Sequence, residues 1–382
     1  MKIIKLLITC MLLSFECKCV TIVNTLKELS VISSPSGFED DMRNLLIKKW
    51  KNLCKESKVD HLGNVFFGVN CQLCDKSKPI VVIAVHMDEV GLIVKSITDD
   101  GFIKFEPLGG WLEVAAVLQK WIIKTPSKCT TGFSGFESAH VCNKYPSVSL
   151  KPMNKMFIDV GAKSKKEAKN MGIRPGLGIA PYPVFEVIGP DAKRVLANAL
   201  DDRVGLAVLD GVINSLKDKE LNVNLIIVAT VQEEVGMRGA KAIPGTVKPD
   251  VFISLDTSMS SDFPLQATDP DESGTKLGNG FSFFVYDQSM IPDQKLLQFL
   301  IDFANKKGMK YQYDAMPLYG HDASALQQSF SGVATINIGI PCRYTHSSNS
   351  IIDVDDAVLT KDFLVALLSE MKQSDIQNIV NK

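Results

Sequence analysis

The chain has 382 residues, enough for one large domain together with a smaller domain or an insertion. Its formal net charge is -1, and the sequence has no basic stripe interleaved with aromatic residues. These features give no electrostatic basis for binding nucleic acid or an anionic membrane surface.

The first nineteen residues are typical of a secretory signal peptide. Lys2 and Lys5 precede a largely apolar stretch, residues 6–15. That stretch is too short to span a bilayer, which takes about 20 residues. We therefore expect a signal peptide over residues 1–19 and a protein of the secretory pathway. The alternative is an N-terminal anchor or a plain apolar segment, and without cleavage we expect a cytoplasmic protein.

Helices and buried strands alternate along the rest of the chain. A capped amphipathic helix is predicted to follow Ser36. Four apolar runs, rich in β-branched residues, have the length of strands buried on both faces. They cover residues 79–85, 221–231, 250–255 and 332–340. The pattern predicts an α/β domain with a mostly parallel sheet sandwiched by helices.

One section interrupts this alternation. Residues 96–189 contain short apolar pieces separated by Gly, Pro and Ser, which predicts a small β-rich lid inserted into the sheet domain. The sheet domain then comprises residues 20–95 and 190–382. Cys129 and Cys142 lie in the insertion, and we expect either a disulfide in an oxidising compartment or two buried thiols.

Acidic residues and histidines follow the predicted strands. They are His86 with Asp88, Glu233 with Glu234, Asp256, His346, and the pair Asp201 and Asp202 that opens a helix. Each alone has an ordinary explanation as a cap, turn or solvated loop residue. Together, however, they would meet at one edge of the sheet, where ligands of open α/β sheets bind. So many carboxylates in one crevice are costly unless a cation lies among them.

The types of these candidate ligand residues indicate which ion they would bind and which reaction it would support. Two imidazoles with several carboxylates and no thiolate suit zinc, cobalt or manganese. The surplus of carboxylates predicts two divalent ions about 3.5–4 Å apart, sharing an aspartate and activating a water for amide hydrolysis. A cysteine nucleophile, Cys342 near His346, is an alternative. A glycosidase is another, but it would need only two carboxylates and leaves His86 and His346 unexplained.

Nine segments of the chain follow the order of motifs in a known family. They are residues 34–39, 60–65, 84–91, 109–111, 157–168, 199–205, 230–240, 254–258 and 339–347. On these segments the sequence resembles the M42 metallo-aminopeptidases of the glutamyl and deblocking aminopeptidase type. The resemblance implies that the insertion is a PDZ-like lid, and that His86, Asp201 and Glu234 bind one ion while Asp201, Asp256 and His346 bind the other.

The resemblance also implies roles for the neighbouring acids. Glu233 would be the general base that takes the proton from the water and delivers it to the leaving amine. Asp88 would orient His86. A cis peptide would follow Asp201, so that Asp202 serves the local geometry. At His321 the family usually has Thr, and we expect either a neutral replacement or an altered substrate contact or pH response.

The implied substrates are peptides, and the implied assembly is a homo-oligomer, such as the family's dodecameric shells. Two other functions use the same scaffold. A zinc-dependent deacylase or carboxypeptidase would use much the same ligands, and a catalytically silent assembly or binding protein would need none of them. The intact set of five ligands with Glu233 argues against the silent protein.

Overall fold

A computed structural model of the chain describes residues 18–138, 140, 152–264 and 274–381. The helices are α1 (residues 18–30), α2 (Asp40–Trp50), α3 (Glu113–Ala116), α4 (Lys165–Asn170), α5 (Leu200–Leu216), α6 (Arg238–Ala242), α7 (Gln294–Lys307), α8 (Asp322–Gln327), α9 (Val354–Glu370) and α10 (Gln373–Val380). The strands are β1 (Glu56–Val59), β2 (Val65–Gly68), β3 (Ile80–His86), β4 (Gly91–Ile97), β5 (Ile103–Leu108), β6 (Gln119–Lys124), β7 (Cys129–Ser134), β8 (Gly178–Pro181), β9 (Phe185–Ile188), β10 (Arg194–Ala197), β11 (Asn224–Thr230), β12 (Val251–Met259), β13 (Phe281–Asp287), β14 (Tyr311–Met316), β15 (Ala334–Arg343) and β16 (Ser350–Asp353).

Eleven of these described strands form one large sheet. Its order is β1-β2-β11-β3-β12-β15-β16-β10-β9, with β13 and β14 attached beside β15. The central strands β11, β3, β12 and β15 are parallel, and they are the four apolar runs of the sequence. The flanking strands β2, β16 and β10 pair antiparallel. The α/β prediction is therefore confirmed, whereas a mostly parallel sheet describes only the centre.

Burial of apolar side chains stabilises the central strands. Every residue of β3 and β11 is buried, and α5 covers the sheet with Val204, Val208, Val212 and other apolar side chains. Removing one such side chain from water contributes about 1.5–3 kcal/mol. The parallel strands therefore form a rigid platform whose carboxyl ends lie at one edge.

Helix α1 begins inside the predicted signal peptide. Lys18 Nζ lies 2.9 Å from Asp362 Oδ2 on α9, and Cys19 Sγ lies 3.7 Å from Asp355 Oδ1. Cleavage after residue 19 would remove both contacts. Residues 1–17 lie outside the described part, so the signal peptide stays a prediction. Within the described ranges, no helix has both the length and the apolar character needed to cross a membrane.

A second sheet, of five strands in the order β5-β4-β8-β6-β7, occupies the region of the predicted insertion. It has its own core, which includes Phe105, Trp121 and Ile158. The sheet begins at Gly91, and β9 joins the large sheet, so its limits differ by a few residues from 96–189. Cys129 is exposed on β7, but Cys142 lies outside the described residues, and their disulfide stays a prediction.

Candidate metal centre

The parallel strands place the acidic and histidine side chains at one edge of the sheet. His86 is the last residue of β3 and pairs with Thr230, the last residue of β11. The register between β12 and β3 pairs Ser254 with Ala84, so two residues further on Asp256 lies level with His86. Strand order alone thus brings residues of distant segments together.

Two groups of ligand atoms form there. In one, His86 Nε2 lies 3.1 Å from Asp201 Oδ1 and 3.9 Å from Asp256 Oδ1. In the other, His346 Nε2 lies 3.7 Å from Asp201 Oδ2 and 3.5 Å from Glu234 Oε2. Within each group the ligand atoms lie within 4.8 Å of one another. Asp201 belongs to both groups and turns one oxygen to each.

This grouping differs from the one that the resemblance implied. Asp256, not Glu234, lies beside His86, because Asp256 is level with His86 on the adjacent strand. Glu234 comes four residues after the end of β11, where the loop brings its carboxylate to His346 instead. The structure brings together the same five residues, but Asp256 and Glu234 have exchanged places between the two groups.

The environment of these carboxylates fits a cation. Glu234 Oε1 is buried without a hydrogen-bond partner among the described residues. Burial, together with the nearby Asp201 charge, raises the pKa of Glu234 to about 8, although His346 opposes this shift. Burial also raises the pKa of Glu233 well above its usual value. A divalent ion would supply both the missing partner and the missing positive charge, and oxygen with imidazole ligands suits zinc, cobalt or manganese.

Asp88 holds the loop that carries the two glutamates. Its Oδ1 accepts the Glu233 N–H at 2.9 Å, and its Oδ2 accepts the Glu234 N–H at 3.2 Å and the Ser36 hydroxyl at 2.6 Å. His86 Nδ1 lies 3.0 Å from the main-chain oxygen of Asp88 and 3.5 Å from Oδ1. The residue therefore contacts both His86 and the acidic loop, where only the first contact was expected.

The Glu39 carboxylate also contacts the acidic loop. Its Oε1 accepts the N–H of Gly37 at 2.7 Å and that of Gln232 at 3.1 Å, which ties the start of α2 to the acidic loop. Burial, with the Asp88 charge, raises the pKa of Glu39 to about 7. Its place at the start of a predicted helix suggested a cap, but the carboxylate bonds outside the helix.

Glu233 borders a cavity of about 230 Å³ in front of the two groups. The wall includes the proposed ligands Asp201, Glu234, Asp256 and His346, and also Met237, Leu318, Tyr319 and His321. The peptide bond between Asp201 and Asp202 is cis, as the resemblance implied. Asp202 Oδ1 accepts the Gly205 N–H at 2.9 Å, so this side chain is directed into α5.

The cysteine alternative does not fit the structure. Cys342 is fully buried, and burial raises the pKa of its thiol well above the usual value. A nucleophile has to be a thiolate, which such surroundings disfavour. Cys342 is therefore a core residue of β15.

The sequence is similar to a known protein family and to named relatives. A family model described as M42 glutamyl aminopeptidase matches residues 63–363. The chain is 31% identical over 357 residues to a glutamyl aminopeptidase of Lactococcus lactis, covering 93% of this chain and 98% of the relative. It is 33% identical over 350 residues to a lysyl aminopeptidase of Pyrococcus furiosus, covering 90% and 96%.

Solved structures of aminopeptidases are also similar to this chain. An aminopeptidase from the archaeon Desulfurococcus kamchatkensis matches with a TM-score of 0.88 at 32% identity, over 95% of this chain and 99% of that one. The TET1 peptidase of Pyrococcus horikoshii, described as assembling into a tetrahedron or a large octahedral shell, matches with a TM-score of 0.82 at 28% identity, over 92% and 100%.

Proposed function

The chain belongs to the M42 glutamyl aminopeptidase family, and we propose that it removes N-terminal residues from peptides at a centre of two divalent metal ions. Family membership makes it a peptide hydrolase of a metal-dependent family. The observation that carries the finer proposal is the pair of ligand groups that share Asp201. Five side chains from five separate segments supply them.

Each ion is assigned its own pair of side chains besides Asp201. His86 and Asp256 would hold one ion, and Glu234 and His346 the other. Bound zinc, cobalt or manganese would polarise the peptide carbonyl and lower the pKa of a water towards about 7. The protein supplies the fixed positions, since His86 and Asp256 lie on adjacent strands of the rigid platform.

Glu233 is assigned the proton transfers. It is buried at the cavity wall, and its main-chain N–H is held by Asp88 Oδ1. Because burial raises its pKa, the carboxylate is a stronger base than a solvated one, which suits a general base. The protonated acid then donates to the leaving amine nitrogen. Glu234 next to it binds metal, so neighbouring residues take different tasks.

Substrates with free and blocked amino groups distinguish an aminopeptidase from a deacylase. We expect the protein to cleave aminoacyl anilides but not their N-acetylated forms. Dialysis against a chelator should abolish the activity, because the carboxylates alone provide no activated water, and added zinc or cobalt should restore it. Activity on the N-acetylated substrates alone would overturn the assignment, as would full activity after metal removal.

We also propose that the five-stranded sheet is the family's PDZ-like lid and that the chain forms a homo-oligomer. The lid lies close to the centre, since Gly110 O is 3.0 Å from His346 Nδ1. Leu112, Val114 and Leu118 are exposed apolar residues of the same region, which supports a contact surface. The mass in solution tests the assembly: a dodecamer has twelve times the mass of one chain, and a monomer at all concentrations contradicts it.

A further inference from the structure

A histidine at the cavity wall contacts one of the proposed ligands. His321 is 2% exposed and borders the cavity, and its Nδ1 lies 2.9 Å from Asp256 Oδ2. A carboxylate can only accept a hydrogen bond, so Nδ1 carries the proton. We propose that His321 is a positioning residue that fixes the Asp256 carboxylate for metal binding, an inference that rests on the proposed dinuclear centre.

The two oxygens of Asp256 have different surroundings. Oδ1 accepts the Thr257 N–H at 2.6 Å and lies 3.9 Å from His86 Nε2, on the side of the first ligand group. Oδ2 accepts the hydrogen bond from His321 Nδ1–H. The two bonds set the rotation of the carboxylate about its Cβ–Cγ bond and keep Oδ1 facing His86. Without the imidazole, Oδ2 would lose its partner and this rotation would be less restrained.

The imidazole is itself held in place before any ion binds. The Phe284 ring meets it edge to face with ring centres 4.5 Å apart, and the Tyr319 ring lies 5.3 Å away. The main-chain oxygen of His321 accepts the Ser324 N–H at 2.9 Å and the Ser324 hydroxyl at 2.8 Å, at the start of α8. These contacts restrict the movement of the donor, which is a requirement for positioning a ligand.

The second ring nitrogen of His321 indicates that this residue does more than fill space in the core. His321 Nε2 is buried and has no hydrogen-bond partner among the residues that the structure describes. Leaving such a polar atom unpaired costs stability, and an apolar side chain packed against Phe284 and Tyr319 would avoid that cost. The contact with Asp256 explains why an imidazole occupies this position.

Measurements of metal binding, which do not depend on catalytic turnover, test the inference. His321→Phe and His321→Leu remove the donor, and the first also keeps a ring against the two aromatic neighbours. His321→Asn keeps an N–H near the position of Nδ1. Phe284→Leu is the matched control, because it loosens the packing of the imidazole and leaves its donor. For each folded variant, Co²⁺ stoichiometry and affinity are measured by chelator competition, together with the visible spectrum of the bound Co²⁺.

We expect the two donor-free variants to bind one of the two Co²⁺ ions about 10–100-fold more weakly, with a changed visible band for that ion. His321→Asn should recover most of the affinity, and Phe284→Leu, which keeps the donor but loosens its packing, should lose clearly less than the donor-free variants. Wild-type affinity and spectrum in either donor-free variant would overturn the inference, and so would an equal loss in Phe284→Leu. If the wild type itself binds fewer than two ions, the dinuclear proposal fails instead.

Discussion

Glu233→Gln is expected to lower kcat by about 10²–10⁴-fold, the usual contribution of a positioned acid or base. The amide is nearly the same size as the carboxylate but can neither take the proton from water nor return it to the amine. Because Glu233 belongs to neither ligand group, the variant should still bind two ions. Steady-state kinetics on an aminoacyl anilide, with metal content measured on the same sample, checks both statements.

Glu39→Gln is the matched control for this substitution. Glu39 is also buried beside the acidic loop, but it acts only as an acceptor for the N–H groups of Gly37 and Gln232. A glutamine oxygen can accept the same two bonds, so kcat should stay within about tenfold of the wild type. Unchanged turnover in Glu233→Gln would exclude Glu233 as the base and would revive the hypothesis of a catalytically silent scaffold.

Asp201→Asn is expected to weaken the binding of both ions and to reduce activity by more than about 10²-fold, since even the outer partners of metal ligands contribute 10–100-fold. The reason is that one oxygen of Asp201 faces each group. Asp256→Asn should weaken only the ion beside His86, and Glu234→Gln only the ion beside His346. Metal titrations of the three variants compare one shared ligand with two unshared ones.

The neighbouring Asp202 provides the control for Asp201→Asn. Its Oδ1 accepts the Gly205 N–H, and an asparagine oxygen can do the same. Asp202→Asn should therefore retain both ions. Retention of both ions at wild-type affinity by Asp201→Asn would contradict a shared ligand. Loss of both ions in Asp202→Asn would mean that the local backbone, not the Asp201 carboxylate, determines binding.

The centre of the fold was predictable because it is buried on both faces. Residues 79–85 and 250–255 were predicted as strands and overlap β3 and β12, where continuous apolar sequence leaves few alternatives. Short flanking strands such as β9 and β10 have half-exposed residues and no comparable pattern. Their pairing depends on distant partners, which local sequence does not specify.

The site was predictable in composition but not in arrangement. His86, Asp201, Asp256 and His346 were identified because strand ends converge at one edge of a parallel sheet. Which of them share an ion depends on strand order and register, since Asp256 lies level with His86 on the adjacent strand. The contact of His321 with Asp256 likewise joins residues 65 apart in sequence, and no local pattern indicates it.

A crystal structure of the zinc-loaded protein, with anomalous data collected at the zinc edge, tests the central claim most directly. The account predicts two peaks per chain about 3.5–4 Å apart. One should lie among His86, Asp256 and Asp201, and the other among Glu234, His346 and Asp201. A single peak, or two peaks that do not share Asp201, would contradict it.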